Sequence, residues 1–161
     1  MGTPTDAVLT LSALADAAGR QSDKVSLGTP WAREFDCFSA VDYTGESPSA
    51  TGQVDYYWAP STNATQANGN VAGNSGADAA APGGALGSIT LSEMLKQCIY
   101  IGALWTHDGA SVQNAYVGRF EAPTQWGQLI VVNDGGDAIE ADDVENHTVF
   151  VPVIPDIQAA V

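Results

Sequence analysis

Apolar and polar residues alternate along much of this chain, and clusters of turn-forming residues cut the alternation into short pieces. From Trp31 to Tyr43, Phe35, Cys37, Ser39 and Val41 fall on one face and Asp36, Phe38 and Ala40 on the other, between Pro30 and the turn Gly45-Glu46-Ser47-Pro48. Gln53 to Ala59 reads as its hairpin partner or neighbour. Gln97 to His107, rich in Ile, Tyr, Leu and Trp, predicts a strand closed by Asp108-Gly109, and Val112 to Glu121 predicts another that stops at Pro123. Gln128 to Asn133 is a continuous apolar run ended by Asn133-Asp134-Gly135-Gly136. Thr148 to Ile154 supplies the last strand, and Pro152 demotes it to an edge or a bulge.

Two stretches read differently. Val8, Leu11, Leu14, Ala15 and Ala18 suit either a short helix or an extended arm with a turn, so residues 1–30 are expected to form an N-terminal arm or short helix. Ile89 to Lys96 predicts a helical turn or a short strand. Seven or so short strands between turns indicate an all-β fold, a single β-sandwich with a jelly roll as the favoured version, occupying 31–161.

Ser61 to Gly87 interrupts that pattern. It holds one charged residue, Asp78, and almost nothing large enough to fill a core. A connection of this length without periodicity is normally functional or disordered, and we read it as an insertion that acts as an arm against a neighbouring subunit. Ordering such an arm costs roughly 1–2 kcal/mol per residue, which calls for an extended interface.

Composition narrows the partners. Nineteen acidic residues against five basic ones give a net charge of −14, which repels nucleic acid and suits a basic protein surface. Every ionised side chain after Arg119 is acidic. No run approaches the roughly 18 apolar residues of a membrane span, and the opening residues lack the features of a secretory signal. Cys37 and Cys98, far apart in apolar contexts, read as free thiols, with a disulfide open only outside a reducing cytosol.

Candidate chemistry is sparse. His107 and His147 lie in no catalytic frame, and the Gly-rich segments lack the Lys-Ser or Lys-Thr of a phosphate loop. Two isolated Cys and two isolated His do not make a zinc site. Asn133 to Asp143 offers oxygen ligands on a glycine turn without the spacing of a calcium loop. We therefore expect no catalytic residue, no metal and no cofactor. Trp31, Tyr56, Tyr57, Trp58, Trp105, Phe120 and Trp126 suit either a sugar-stacking surface or core and interface positions, and alternation puts Tyr57 opposite to Tyr56 and Trp58.

The runs Asp16 to Val25, Val54 to Ser61, Gly73 to Ala79, Ile99 to Gly102, Gly118 to Pro123 and Leu129 to Asn133 together resemble small virion structural proteins of tailed bacteriophages, of the capsid decoration or cement type. The resemblance implies a non-enzymatic β-sandwich or jelly roll, a homotrimer bound to the major capsid protein on the outside of the virion and made in the host cytoplasm. The contact residues it suggests are Arg20, Lys24, Trp31, Arg33, Tyr57, Trp58, Asn74, Asp78, Arg119 and Trp126. A tail or baseplate protein with a carbohydrate-binding sandwich is the alternative, and a small hydrolase is the third reading.

Overall fold

Burial follows the alternation as far as Ser39: Phe35, Cys37 and Ser39 are buried, whereas Asp36 is half-buried and Phe38 exposed; from Ala40 to Asp42 every residue is buried, against the expectation for Ala40. The computed structural model describes residues 3–83, 89–142 and 144–153. Its elements are β1 (Thr5–Ala7), β2 (Ala18–Gln21), β3 (Val25–Ser26), β4 (Glu34–Asp42), β5 (Gln53–Ser61), β6 (Ala79–Ala81), α1 (Leu91–Leu95), β7 (Ile99–Trp105), β8 (Val112–Glu121), β9 (Trp126–Asp134) and β10 (His147–Pro152).

The strands form two sheets, ordered β1-β10-β4-β8 and β6-β2-β9-β5-β7, with β3 also on β9. The pairs β1 with β10, β2 with β9, β4 with β8 and β5 with β7 are antiparallel. Setting aside the short β3 and β6, these pairs join first strand to last, second to seventh, third to sixth and fourth to fifth. That nesting, one long hairpin rolled into two facing sheets, is the jelly roll.

The second sheet is covered on its inner side and over part of its outer side, while along its β7 edge Tyr100 and Trp105 are 52% and 70% exposed. Its inner side meets the first sheet around Trp58, whose ring centroid lies 5.4 Å from that of Phe120 and 5.5 Å from that of Phe150. On its outer side, Met94 of α1 packs with Ala59, Ala81 and Ile130, and Tyr57 and Cys98 join this smaller cluster. A capping box starts α1: Thr90 Oγ1 accepts from the Glu93 N–H at 3.3 Å, and the Thr90 N–H donates to Glu93 Oε2 at 2.9 Å.

Three further expectations change. Residues 5–26 are neither a separate arm nor a helix, because β1, β2 and β3 belong to the two sheets and Leu9 and Leu11 are buried in the core. β10 is an inner strand between β1 and β4. Its Pro152 lies beyond Phe150, the last position opposite β1, so the missing N–H breaks no bond to β1. The described part of the 61–87 insertion closes on its own subunit, with β6 paired to β2. Gly84 to Gly87 of that insertion, and Ile154 of the last expected strand, lie outside the described residues.

Candidate binding surfaces

Polar groups inside the sandwich are used for structure. The Tyr56 hydroxyl donates to Ser39 Oγ at 2.8 Å, and Ser39 Oγ is 2.8 Å from Thr148 Oγ1, which ties the two sheets together through the core. Asn133 is a second hub. Its Oδ1 accepts from the Tyr43 hydroxyl and the Gly135 N–H, and its Nδ2 donates to the carbonyls of Leu14 and Asp137. In the sequence Asn133 reads only as a turn residue, because two of its partners, Tyr43 and Leu14, lie far away in the chain.

Four of the expected contact residues anchor the insertion. Lys24 Nζ, with three N–H donors to share, lies 2.7 to 2.9 Å from four acceptors, Ser61 Oγ and the carbonyls of Asn63, Thr65 and Asn68. Burial pulls its pKa below the ordinary lysine value. Arg20 Nε donates to Asp78 Oδ1 at 2.6 Å, and Thr10 donates to Asp78 Oδ2 through its N–H and its hydroxyl. Burial alone would raise the Asp78 pKa, but the Arg20 and Thr10 hydrogen bonds outweigh it and hold the carboxyl below its usual range. Asn74 is buried beneath the same loop, where its Oδ1 accepts from the Gly76 N–H.

Trp58 is fully buried and has no surface to offer a partner, which removes it from the expected contacts. Tyr57 points to the outer side of its sheet, half-covered, with its ring 5.1 Å from that of Tyr100. Sequence alternation separated these two neighbours correctly; what it could not supply was the cover that α1 and the insertion place over Tyr57.

Among the described residues, the outer face of β1-β10-β4-β8 carries no such cover. Phe38 and Tyr116 stand opposite one another there, 43% and 54% exposed, with ring centroids 5.3 Å apart. Beside them Arg119 forms a two-pronged pair with Asp36 at 2.8 and 3.0 Å, and the Tyr116 hydroxyl donates to Asp36 at 3.1 Å. These bonds, Arg119 first, hold the Asp36 carboxyl below its ordinary range. Val149 and His147 on β10 extend this face.

Trp31, Arg33 and Trp126 come together at one end of the sandwich. Trp31 and Arg33 line a cavity of about 710 Å³ between the residues leading into β1, the end of β3 and the end of β10. Trp31 also lines a smaller cavity of about 260 Å³, shared with Trp126 and Pro123. The loop that carries Trp31 is fixed at several points. Gln125 Nε2 donates to the Gly28 carbonyl at 2.8 Å and to Thr29 Oγ1 at 2.6 Å. The Ala122 N–H donates to the Arg33 carbonyl at 2.7 Å, and the Val153 N–H to the Glu34 carbonyl at 2.9 Å.

The remaining candidates stay apart. His107 Nδ1 accepts from the Gly109 N–H at the tip between β7 and β8, while His147 is exposed at the start of β10. Asp42, Asp142 and Glu145 bring carboxylate oxygens within 4.8 Å of one another. Asp42 Oδ1 already accepts from the N–H and hydroxyl of Thr44, so that carboxylate is committed to a turn. Asp143 lies outside the described residues. Both cysteines are free, Cys37 inside the core and Cys98 beside α1.

Compared with known proteins, the chain matches no family model, no curated protein and no solved structure.

Proposed function

We propose that this chain is a non-enzymatic virion structural protein of the capsid decoration type, which binds the outside of a shell of major capsid protein as a homotrimer and stabilises it. The observation that carries the reading is the unequal cover of the two sheets. The second is covered on its outer side around Ala59 and Ile130 and leaves Tyr100 and Trp105 open along its β7 edge, whereas the first carries no cover over Phe38 and Tyr116 among the described residues. A patch of paired aromatic rings around a charged pair has the make-up of an interaction surface, since aromatic anchors supply most of the binding energy at interfaces. The jelly roll is a fold of viral capsid and lectin domains, and a net charge of −14 suits a basic partner surface.

Binding of purified protein to shells of the cognate major capsid protein tests the reading. Wild-type chain is expected to co-sediment with the shells, and Phe38→Ser combined with Tyr116→Ser to lose binding while keeping its circular dichroism spectrum. Equal binding by the double variant, or none by the wild type, contradicts it.

A second reading, a tail or baseplate component that holds host carbohydrate, is favoured by one feature, the cavity walled by Trp31 and Arg33.

A further inference from the structure

The cavity at the end of the sandwich has a composition that selects among ligands. Its volume of about 710 Å³ lies in the range of small-molecule sites, roughly 300 to 1,000 Å³. Leu27, Pro30, Pro152 and Val153 supply apolar wall, and the Trp31 indole, 37% exposed, supplies a flat aromatic surface. Arg33, Glu34, Thr3, Thr5 and Ser26 are the polar residues of the cavity lining.

We propose that this cavity is a carbohydrate site, which takes a neutral pyranose ring at a glycan terminus, stacked on Trp31 and hydrogen-bonded by Arg33 and Glu34. The proposal deepens the second functional reading and does not depend on where a particle would carry the chain.

Charge decides against other small ligands. Arg33 and Glu34 are the two charged residues of the lining and are opposite in sign; neither side chain makes an ion pair or close hydrogen bond among the described residues, although Glu34 also feels the charge of Arg119. An anion would be drawn to Arg33 but repelled by Glu34 and by a chain of net charge −14. A cation would meet Arg33. Sugar hydroxyls, which both donate and accept, match a set in which Arg33 only donates, Glu34 only accepts, and Thr and Ser do both. The apolar face of a pyranose ring matches the indole and the proline wall.

Preorganisation supports the assignment. Hydrogen bonds from Gln125, Ala122 and Val153 hold the loop Gly28 to Glu34, so a ligand has little backbone to order on binding. The same indole borders the second cavity with Trp126, which leaves room for another sugar unit beyond the first.

Titration of ¹⁵N-labelled full chain with the methyl glycosides of glucose, galactose, mannose and N-acetylglucosamine, and with methyl glucuronide, tests this by the four tryptophan indole N–H signals. We expect at least one neutral glycoside to shift the Trp31 signal saturably in the millimolar range, with Trp105 unmoved and the glucuronide weaker. Arg33→Ala and Glu34→Gln, checked for unchanged spectra elsewhere, should each weaken binding about tenfold. Trp105→Ala and the Phe38, Tyr116 double variant should bind as wild type, which separates this site from the shell-binding face. Absence of a saturable Trp31 shift with every neutral glycoside overturns the proposal, as does unchanged affinity in both Arg33→Ala and Glu34→Gln.

Discussion

Gly102 on β7 and Gly118 on β8 pass each other so closely that a methyl group on Gly118 would lie 3.7 Å from the Gly102 Cα and run into the carbonyl oxygen of Ile101. A methyl group on Gly102 would run into the carbonyl oxygen of Val117. The two strands belong to different sheets, so this crossing closes one side of the sandwich backbone to backbone. Either glycine replaced by alanine must push the sheets apart. We expect Gly102→Ala and Gly118→Ala each to lower stability by about 2–3 kcal/mol, measured by chemical denaturation. A loss below the error of that measurement would show that the edge is not closed in this way.

Lys24 is the post on which the insertion hangs. Replacing it with Met takes the ammonium away from one hydroxyl and three carbonyl oxygens, which leaves the carbonyls the longer contacts from Ser61 Oγ and the Asn68 N–H. The expected cost is about 1–3 kcal/mol. Limited proteolysis should then cut between Thr62 and Asn70 at a rate well above that of the wild type. An unchanged cleavage rate would show that other contacts hold the loop.

The acidic limb of the stability curve should carry the signature of Asp36 and Asp78. Both carboxyls are held below the ordinary aspartate value of 3.8 in the folded chain. Their stabilisation is therefore fully present above that value and is lost as pH falls through the lower folded values. Asp78→Asn is expected to cost about 1–2 kcal/mol at neutral pH and progressively less as pH falls below the ordinary aspartate range. A cost independent of pH would contradict the ionic part of this argument.

Asp134 has the opposite sign. Partial desolvation of this largely exposed carboxylate, then the neighbouring charges of Asp55 and Asp16, raise its pKa. Ionisation is thus disfavoured by the fold, and stability from this group grows as pH falls through the folded value. Asp134→Asn should raise the melting temperature slightly at pH 7, with the gain vanishing at low pH. Because the side chain is exposed, the effect is expected to stay below about 1 kcal/mol. A lower melting temperature at neutral pH would oppose the assignment.

Burial also sets thiol reactivity. It pushes Cys37 up to about 12 and Cys98 up to about 11. At pH 8 roughly one Cys98 thiol in a thousand is ionised, and fewer at Cys37. Both should react slowly with a disulfide reagent in the native state, the half-buried Cys98 before the fully buried Cys37. Rapid labelling of Cys37 without denaturant would contradict its place in the core.

The strands that pack by strict alternation were legible from sequence. Phe35 to Ser39, Val54 to Trp58 and Phe120 declare their faces because a period of two puts large apolar groups on one side. The N-terminal strands were not, because β1 holds three residues and β3 two, too few for any period, and their place is decided by β9 and β10 more than a hundred residues on. The insertion hid its order for the same reason: small residues carry no pattern, and its anchors Lys24, Arg20 and Asp78 act across the chain. Trp31, Arg33 and Trp126 were singled out from residue type alone, while the cavity that joins Trp31 to Arg33 depends on Pro152 and Val153 at the far end of the chain.

Cryo-electron microscopy of the assembled particle that carries this chain tests the central claim most directly. The account predicts trimeric density on the capsid exterior at local three-fold positions, with the face of Phe38 and Tyr116 turned against the shell. Density confined to the tail, or a head-bound subunit with that face open to solvent, would contradict it.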